Sequence, residues 1–330
     1  MSPRARVILI VALGAGLVAA AAVGIALATG GSSGNERASQ AQGATGKPRK
    51  GSPPLLLDLG VRTDPAARAL ARASGLYRAG HLAQAGRIFR RYPELAGRLG
   101  AAFSTWPNGS IERVRELVVA QPTNAEARLH LGLALLWAGR NSDAATALKE
   151  AARVQPDTPS AVEAANLLHP SMPPGLPQFV PAFRPPRSLN GLSAARQIGA
   201  LAAAARRGGA RPKLLYGVVL QRLGHPVSAE REFAAAAALA PNDPEALTAA
   251  AVGRFTKDDP SRAFSRLGPL VRRFPHSASV RFHLGLMLIW LRQFPQARVE
   301  LALAARDGAG TEPGREANLL LNRLRKSGTG

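Results

Sequence analysis

Two stretches far apart in the chain are nearly the same. RLHLGLALLW at 128–137 and RFHLGLMLIW at 281–290 stand 153 residues apart, pairing His130 with His283 and Trp137 with Trp290. EAANLL at 163–168 and REANLLLNRL at 315–324 keep roughly the same interval. A chain that repeats itself at that distance is read as two copies of one unit, and each copy must bury its own core.

A shorter period runs inside each copy. Ala125 to Pro156, AEARLHLGLALLWAGRNSDAATALKEAARVQP, begins as an apolar helix with Leu131, Gly132 and Leu135. Gly139 breaks it, a second helix presents Ala144, Leu148 and Ala151 on one face, and Pro156 closes the unit. Small residues thus recur where two antiparallel helices approach, and a glycine turn and a final proline punctuate the pair. Arg211 to Pro241 places Tyr216, Gly217, Leu220, Gly224, Ala229, Phe233, Ala236 and Pro241 at the same offsets. A copy from Ala278 has Leu284, Gly285, Leu288, Ala297, Leu301 and Ala304, with Arg292 in place of the turn glycine and Ala309 in place of the proline. A degenerate copy from Pro244 keeps Ala251, Ala263, Leu267, Leu270 and Pro275, so that starts at 210, 244 and 278 fall 34 residues apart. On these residues the chain resembles the tetratricopeptide repeat family, whose period is about 34 residues.

The resemblance implies an all-α solenoid of helical hairpins in two duplicated three-repeat arrays. No segment alternates with the period of two that a strand needs, which agrees. The first array is expected over 57–168. It would comprise Pro65–Ala79 with Leu82–Tyr92, Glu94–Thr105 with Ser110–Ala120, the pair from Ala125, and a covering helix at Pro159–Leu168. Residues 169–188 hold seven prolines and read as an extended connector. A linking helix at 189–208, a second array with its covering helix at 209–326 and a tail at 327–330 complete the plan.

The amino-terminal end has another character. Residues 1–6 are short and basic, and Val7 to Ala28 runs 22 residues without a charge, enough for a membrane-spanning helix. Arg4 and Arg6 argue for a cytosolic amino terminus with the arrays on the far side. The rival is a cleaved signal peptide ending at Ala26-Leu27-Ala28, which would release a secreted protein. Gly16, Ala20, Gly24 and Ala28 form a stripe on which two anchors could pair. Residues 29–56, rich in Gly, Ser, Gln and Lys, are expected as a disordered linker.

The chemistry points away from catalysis. There is no cysteine, and the six histidines form no HExxH motif or i, i+4 pair. The carboxylates are scattered at helix starts and on expected exposed faces, so neither cofactor nor metal is expected. The net charge of +22 is spread over both arrays. It reads as solvated helix faces or as attraction to anionic lipid or envelope polymer. Nucleic acid is set aside, because no aromatics interleave with the arginines.

What remains is surface. In the family the first helices of the hairpins line a concave groove that holds peptides or partner helices. The places carried over are Leu129, His130, Leu133, Leu136 and Trp137, then Leu214, Val218 and Arg222, then Phe282, His283, Leu286, Ile289 and Trp290. These helices are apolar nearly all round, so the groove is covered by something. One reading is a protein partner, held by shape and burial, which makes the chain a membrane-anchored scaffold in a bacterial envelope. The other is the chain itself, through Leu176 to Val180 or through the two arrays face to face. Docking on anionic lipid or polymer, and a role as accessory subunit of an export or cytochrome-maturation complex, stay open.

Overall fold

A computed structural model describes residues 46–326, which fall into two compact units, 46–170 and 171–326. The expected membrane anchor at 7–28 lies outside the described residues. Among those described, no helix is long and apolar enough to cross a membrane.

Each described element of regular structure is helical. The first unit holds α1 (Pro65–Arg78), α2 (Leu82–Phe89), α3 (Leu95–Phe103), α4 (Ser110–Ala120), α5 (Ala125–Trp137), α6 (Asn141–Val154) and α7 (Pro159–Leu168). The second begins with a 3-10 turn at Arg187–Leu189. It continues with α8 (Ala194–Arg207), α9 (Ala210–Arg222), α10 (Pro226–Leu239), α11 (Pro244–Gly253), α12 (Ser261–Arg273), α13 (Ala278–Trp290), α14 (Phe294–Asp307) and α15 (Glu312–Lys326). Successive helices pair as hairpins, α1 with α2 through α5 with α6 and α9 with α10 through α13 with α14. The last helix of each unit packs on both members of its final hairpin. The linking helix starts later than its expected place, because Ser193 supplies the cap, accepting from the Arg196 N–H.

Local chemistry sets the helix ends. The Asp64 carboxylate accepts from the Ala67 N–H with Pro65 at the first helical position, and Asn124 and Ser277 cap α5 and α13 in the same way. The hairpin turn after α5 uses Gly139 at φ 77°, a left-handed conformation that glycine adopts without penalty. After α13 the same turn is made by Arg292 at φ 59°, with the Arg292 N–H still bonded to the Ile289 carbonyl. The repeat geometry therefore holds an arginine where its own sequence pattern asks for glycine. Inside the hairpins, Gly132 and Gly285 are the points of closest approach. A Cβ there would stand 2.7 Å from Leu148 and 2.8 Å from Leu301. The cores are layers of such contacts, with Ala144, Ala151, Phe89 and Phe103 sealed in the first unit and Phe233, Ala236, Ala263 and Leu267 in the second.

Two stability outcomes follow. Arg292→Gly relieves the left-handed arginine and raises unfolding free energy by roughly 1 kcal/mol in urea titration. Gly132→Val forces α5 and α6 apart and lowers it by about 2 kcal/mol.

Candidate functional site: two grooves filled by the chain itself

The first helices of the hairpins, α1, α3 and α5 in one unit and α9, α11 and α13 in the other, wall a groove in each. Both grooves are occupied. In the first unit a strap from Gly46 to Leu59 runs antiparallel to α5. Gly46 N–H donates to the Gly139 carbonyl (2.7 Å) and Arg49 N–H to the Trp137 carbonyl (2.8 Å). Further along, Leu56 N–H donates to Nε2 of His130 (3.2 Å) and Asp58 N–H to Oε1 of Glu126 (3.1 Å). From α1 the Tyr77 hydroxyl donates to the Pro53 carbonyl at 2.7 Å. Leu55 is buried in one cluster with Tyr77, Phe103, Leu129, Leu133 and Trp137. The Arg49 guanidinium lies 4.9 Å over the Trp137 ring. Of the disordered linker expected at 29–56, residues 46–56 are therefore part of the ordered strap, and the remainder lies outside the described residues. The run Pro53 to Leu59 carries four leucines, and burying part of it outweighs the freedom of the tether.

In the second unit the proline-rich connector does the same work. Val180 N–H donates to Nε2 of His283 at 2.8 Å, Ala182 N–H to Oε2 of Glu245 at 2.9 Å and Phe179 N–H to Oε1 of Gln221 at 3.0 Å. Phe179 is 1% exposed, stacked on the His283 ring at 5.1 Å and edge-on to Phe233 at 5.6 Å. Lys257, itself buried, donates to the Pro173 carbonyl at 2.7 Å and lies 5.5 Å over the Trp290 ring. A cation thus covers each of the two matched tryptophans.

The expected groove residues lie as follows. Leu129, His130, Leu133 and Trp137 are buried and Leu136 is half-buried, all on α5. Leu214 and Val218 share a cluster with Phe179. Arg222 is half-buried, and desolvation lowers its guanidinium from the usual range. Phe282, Leu286 and Ile289 share a cluster with Val180, and His283 and Trp290 are buried as well. Sequence reasoning missed the polar half of the groove: Glu126, Gln221, Glu245, Tyr77 and Lys257. Glu126 and Glu245 were read as solvated carboxylates. The available signal was Glu126 one turn before His130 on the same helix, beside an apolar run flanked by prolines.

The electrostatics fix one protonation state. Nδ1 of His130 lies 2.7 Å from the Glu126 carbonyl and Nδ1 of His283 lies 2.6 Å from the Ser279 carbonyl, so Nδ1 carries the proton and Nε2 is the acceptor. Burial pushes both imidazoles down to about 4. Burial pushes the Glu126 carboxyl the other way, up to about 7, and raises Glu245 as well. Among the described residues no group of three or more His, Asp or Glu could hold a metal ion.

Comparisons with known proteins add little. No protein-family model and no curated protein matches the chain. Among solved structures, yeast Tom70 is similar at 14% identity and a TM-score of 0.32, over 77% of this chain and 47% of its own. The Cut9 and Hcn1 hetero-tetramer of the APC/C matches at 18% and 0.32, over 80% and 51%. A tetratricopeptide repeat protein from Parabacteroides merdae matches at 14% and 0.31, over 78% and 98%. The chain thus spans about half the length of the first two.

Opposed shifts on His130 and Glu126 predict a flat pH response with a hidden slope. Lowering the folded pKa of His130 gives stability that is full above 6.5 and is lost as pH falls toward 4. Raising that of Glu126 gives stability that is full below 4.5 and is lost as pH rises through 7. Between 4.5 and 6.5 the unfolded chain carries both charges and the folded unit neither, so their proton counts match and the pair contributes no slope. Glu126→Gln removes the compensation. Its stability relative to wild type then climbs by roughly 1.4 kcal/mol per pH unit across that window, measured by urea unfolding.

Proposed function

We propose that this chain is a non-catalytic scaffold of the tetratricopeptide type, held to a cell membrane by residues 7–28 with its arrays on the extracytoplasmic side, and that its ligands are protein segments. One observation carries the reading. In each unit a buried neutral histidine and a carboxylate take main-chain N–H groups of an extended segment whose side chains enter an apolar wall. Side-chain acceptors for a backbone, set among apolar pockets, are the means by which a surface holds extended polypeptide. The histidines are structural here, since both ring nitrogens are committed to hydrogen bonds. The anchor rests on the uncharged run from Val7 to Ala28 and the basic residues before it.

The test empties a groove. Phe179→Asp places a charge in the wall beside His283 and ejects the connector, and binding of an apolar fluorescent dye rises several-fold while the helical circular dichroism signal persists. No rise in dye binding with helix intact sinks the groove reading. The anchor is checked separately: the full chain resists alkaline extraction from membranes, and deletion of 7–28 releases it.

A second reading has one observation behind it. Arg262, Arg266 and Arg272 are exposed on α12, a basic face suited to anionic lipid or polymer. Vesicle binding that vanishes with added salt, and with all three changed to glutamine, would favour it.

A further inference from the structure

The two straps differ in sequence and in the length of chain tying them to their grooves, yet they lie in one register. Leu56 is 74 residues from His130 and Val180 is 103 residues from His283. The duplication does not relate them either, since the straps stand 124 residues apart and the histidines 153. The acids also come from different places: Glu126 shares α5 with its histidine, whereas Glu245 reaches in from α11. A placement reached through different tethers and different acids is imposed by the groove.

The shared features can be counted from the residue whose N–H meets the histidine. Three before it is a buried proline, Pro53 or Pro177. One before it is the deep anchor, Leu55 or Phe179, 5% and 1% exposed. The residue itself is apolar, and the one two further on gives its N–H to a carboxylate. Three further on stands a half-buried Leu59 or Phe183. The residue between, Leu57 or Pro181, donates to neither acceptor, and proline is tolerated there.

We infer that each groove is a receptor for an extended protein segment patterned proline, any, large apolar, large apolar, any, any, large apolar, with main-chain N–H at the fourth and sixth places, and that a partner protein carrying this pattern displaces the strap. The inference rests on the proposed scaffold function and gives its ligand a chemistry. The first strap is suited to displacement. Of Pro53 to Leu59 only Pro53 and Leu55 are buried, while Leu56 is 38% exposed and Asp58 faces solvent. An occupant of the same pattern regains the N–H bonds to His130 and Glu126, so exchange over Pro53 to Leu59 keeps both.

The experiment crosses the two straps. The full chain with Leu55→Asp, checked for helix by circular dichroism and for an open groove by the apolar dye, is titrated with a fluorescent peptide of residues 174–184. Saturable binding is expected, with displacement by unlabelled peptide of residues 50–60. A peptide N-methylated at the Val180 amide lacks the donor and binds at least tenfold more weakly. If Leu55→Asp loses helix, Leu56→Pro replaces it, removing the strap's own N–H donor to His130 at an exposed position. A chain that takes the dye but not the peptide, or that binds the methylated peptide equally well, overturns the pattern while leaving the scaffold reading intact. A chain whose helices persist but which takes neither dye nor peptide overturns both.

Discussion

A main-chain N–H taken out of water must find an acceptor, and in both units that acceptor is Nε2 of a histidine sealed in the groove wall. Leaving such a donor unpaired costs about 1–3 kcal/mol, comparable to the gain from burying a leucine side chain. Without the imidazole, the apolar wall could hold a strap's side chains but would penalise its backbone. The helix that carries the histidine is arranged for this. The carbonyl one turn earlier, of Glu126 or Ser279, accepts from Nδ1–H, so the proton stays on Nδ1 and Nε2 is left as an acceptor. Phe103 and Phe282 stand edge-on to the two rings at 5.1 and 4.8 Å and hold them in orientation.

Around that bond the two units diverge in a consistent way. The histidine and the tryptophan survive duplication at equivalent positions, whereas the carboxylate and the cation over the tryptophan do not. Arg49 comes from the strap, Lys257 from the segment between α11 and α12. What is kept sits on one helix and faces the strap's backbone, which every sequence shares. What varies meets the flanks, where the two straps differ.

The hairpins were legible because their cause is local. Gly132 opposite Leu148, the glycine after α5, and the Asp64 and Asn124 caps act within a few turns of the chain, and each leaves a periodic trace. The wall residues on α5, α9 and α13 were legible for the same reason, and so was the connector near Phe179 as one occupant of its groove. The first strap was not. Its composition up to Pro54 is that of a linker, and nothing within it announces that Leu56 will meet a histidine 74 residues on. Glu126 and Glu245 likewise look like first-turn acids favoured by the helix dipole, and burial in the folded groove changes their character.

The sequence alone determined the periodic part: helices, turns, duplication, and an inner wall too apolar to stay wet. Those properties follow from spacing along the chain, and spacing can be read without coordinates. Only the tertiary structure decided what covers the wall and in which register, because that depends on distant donors and acceptors coming within hydrogen-bond distance of one another. Hydrogen bonds of that kind carry no period, so the order of residues does not say which distant groups they join.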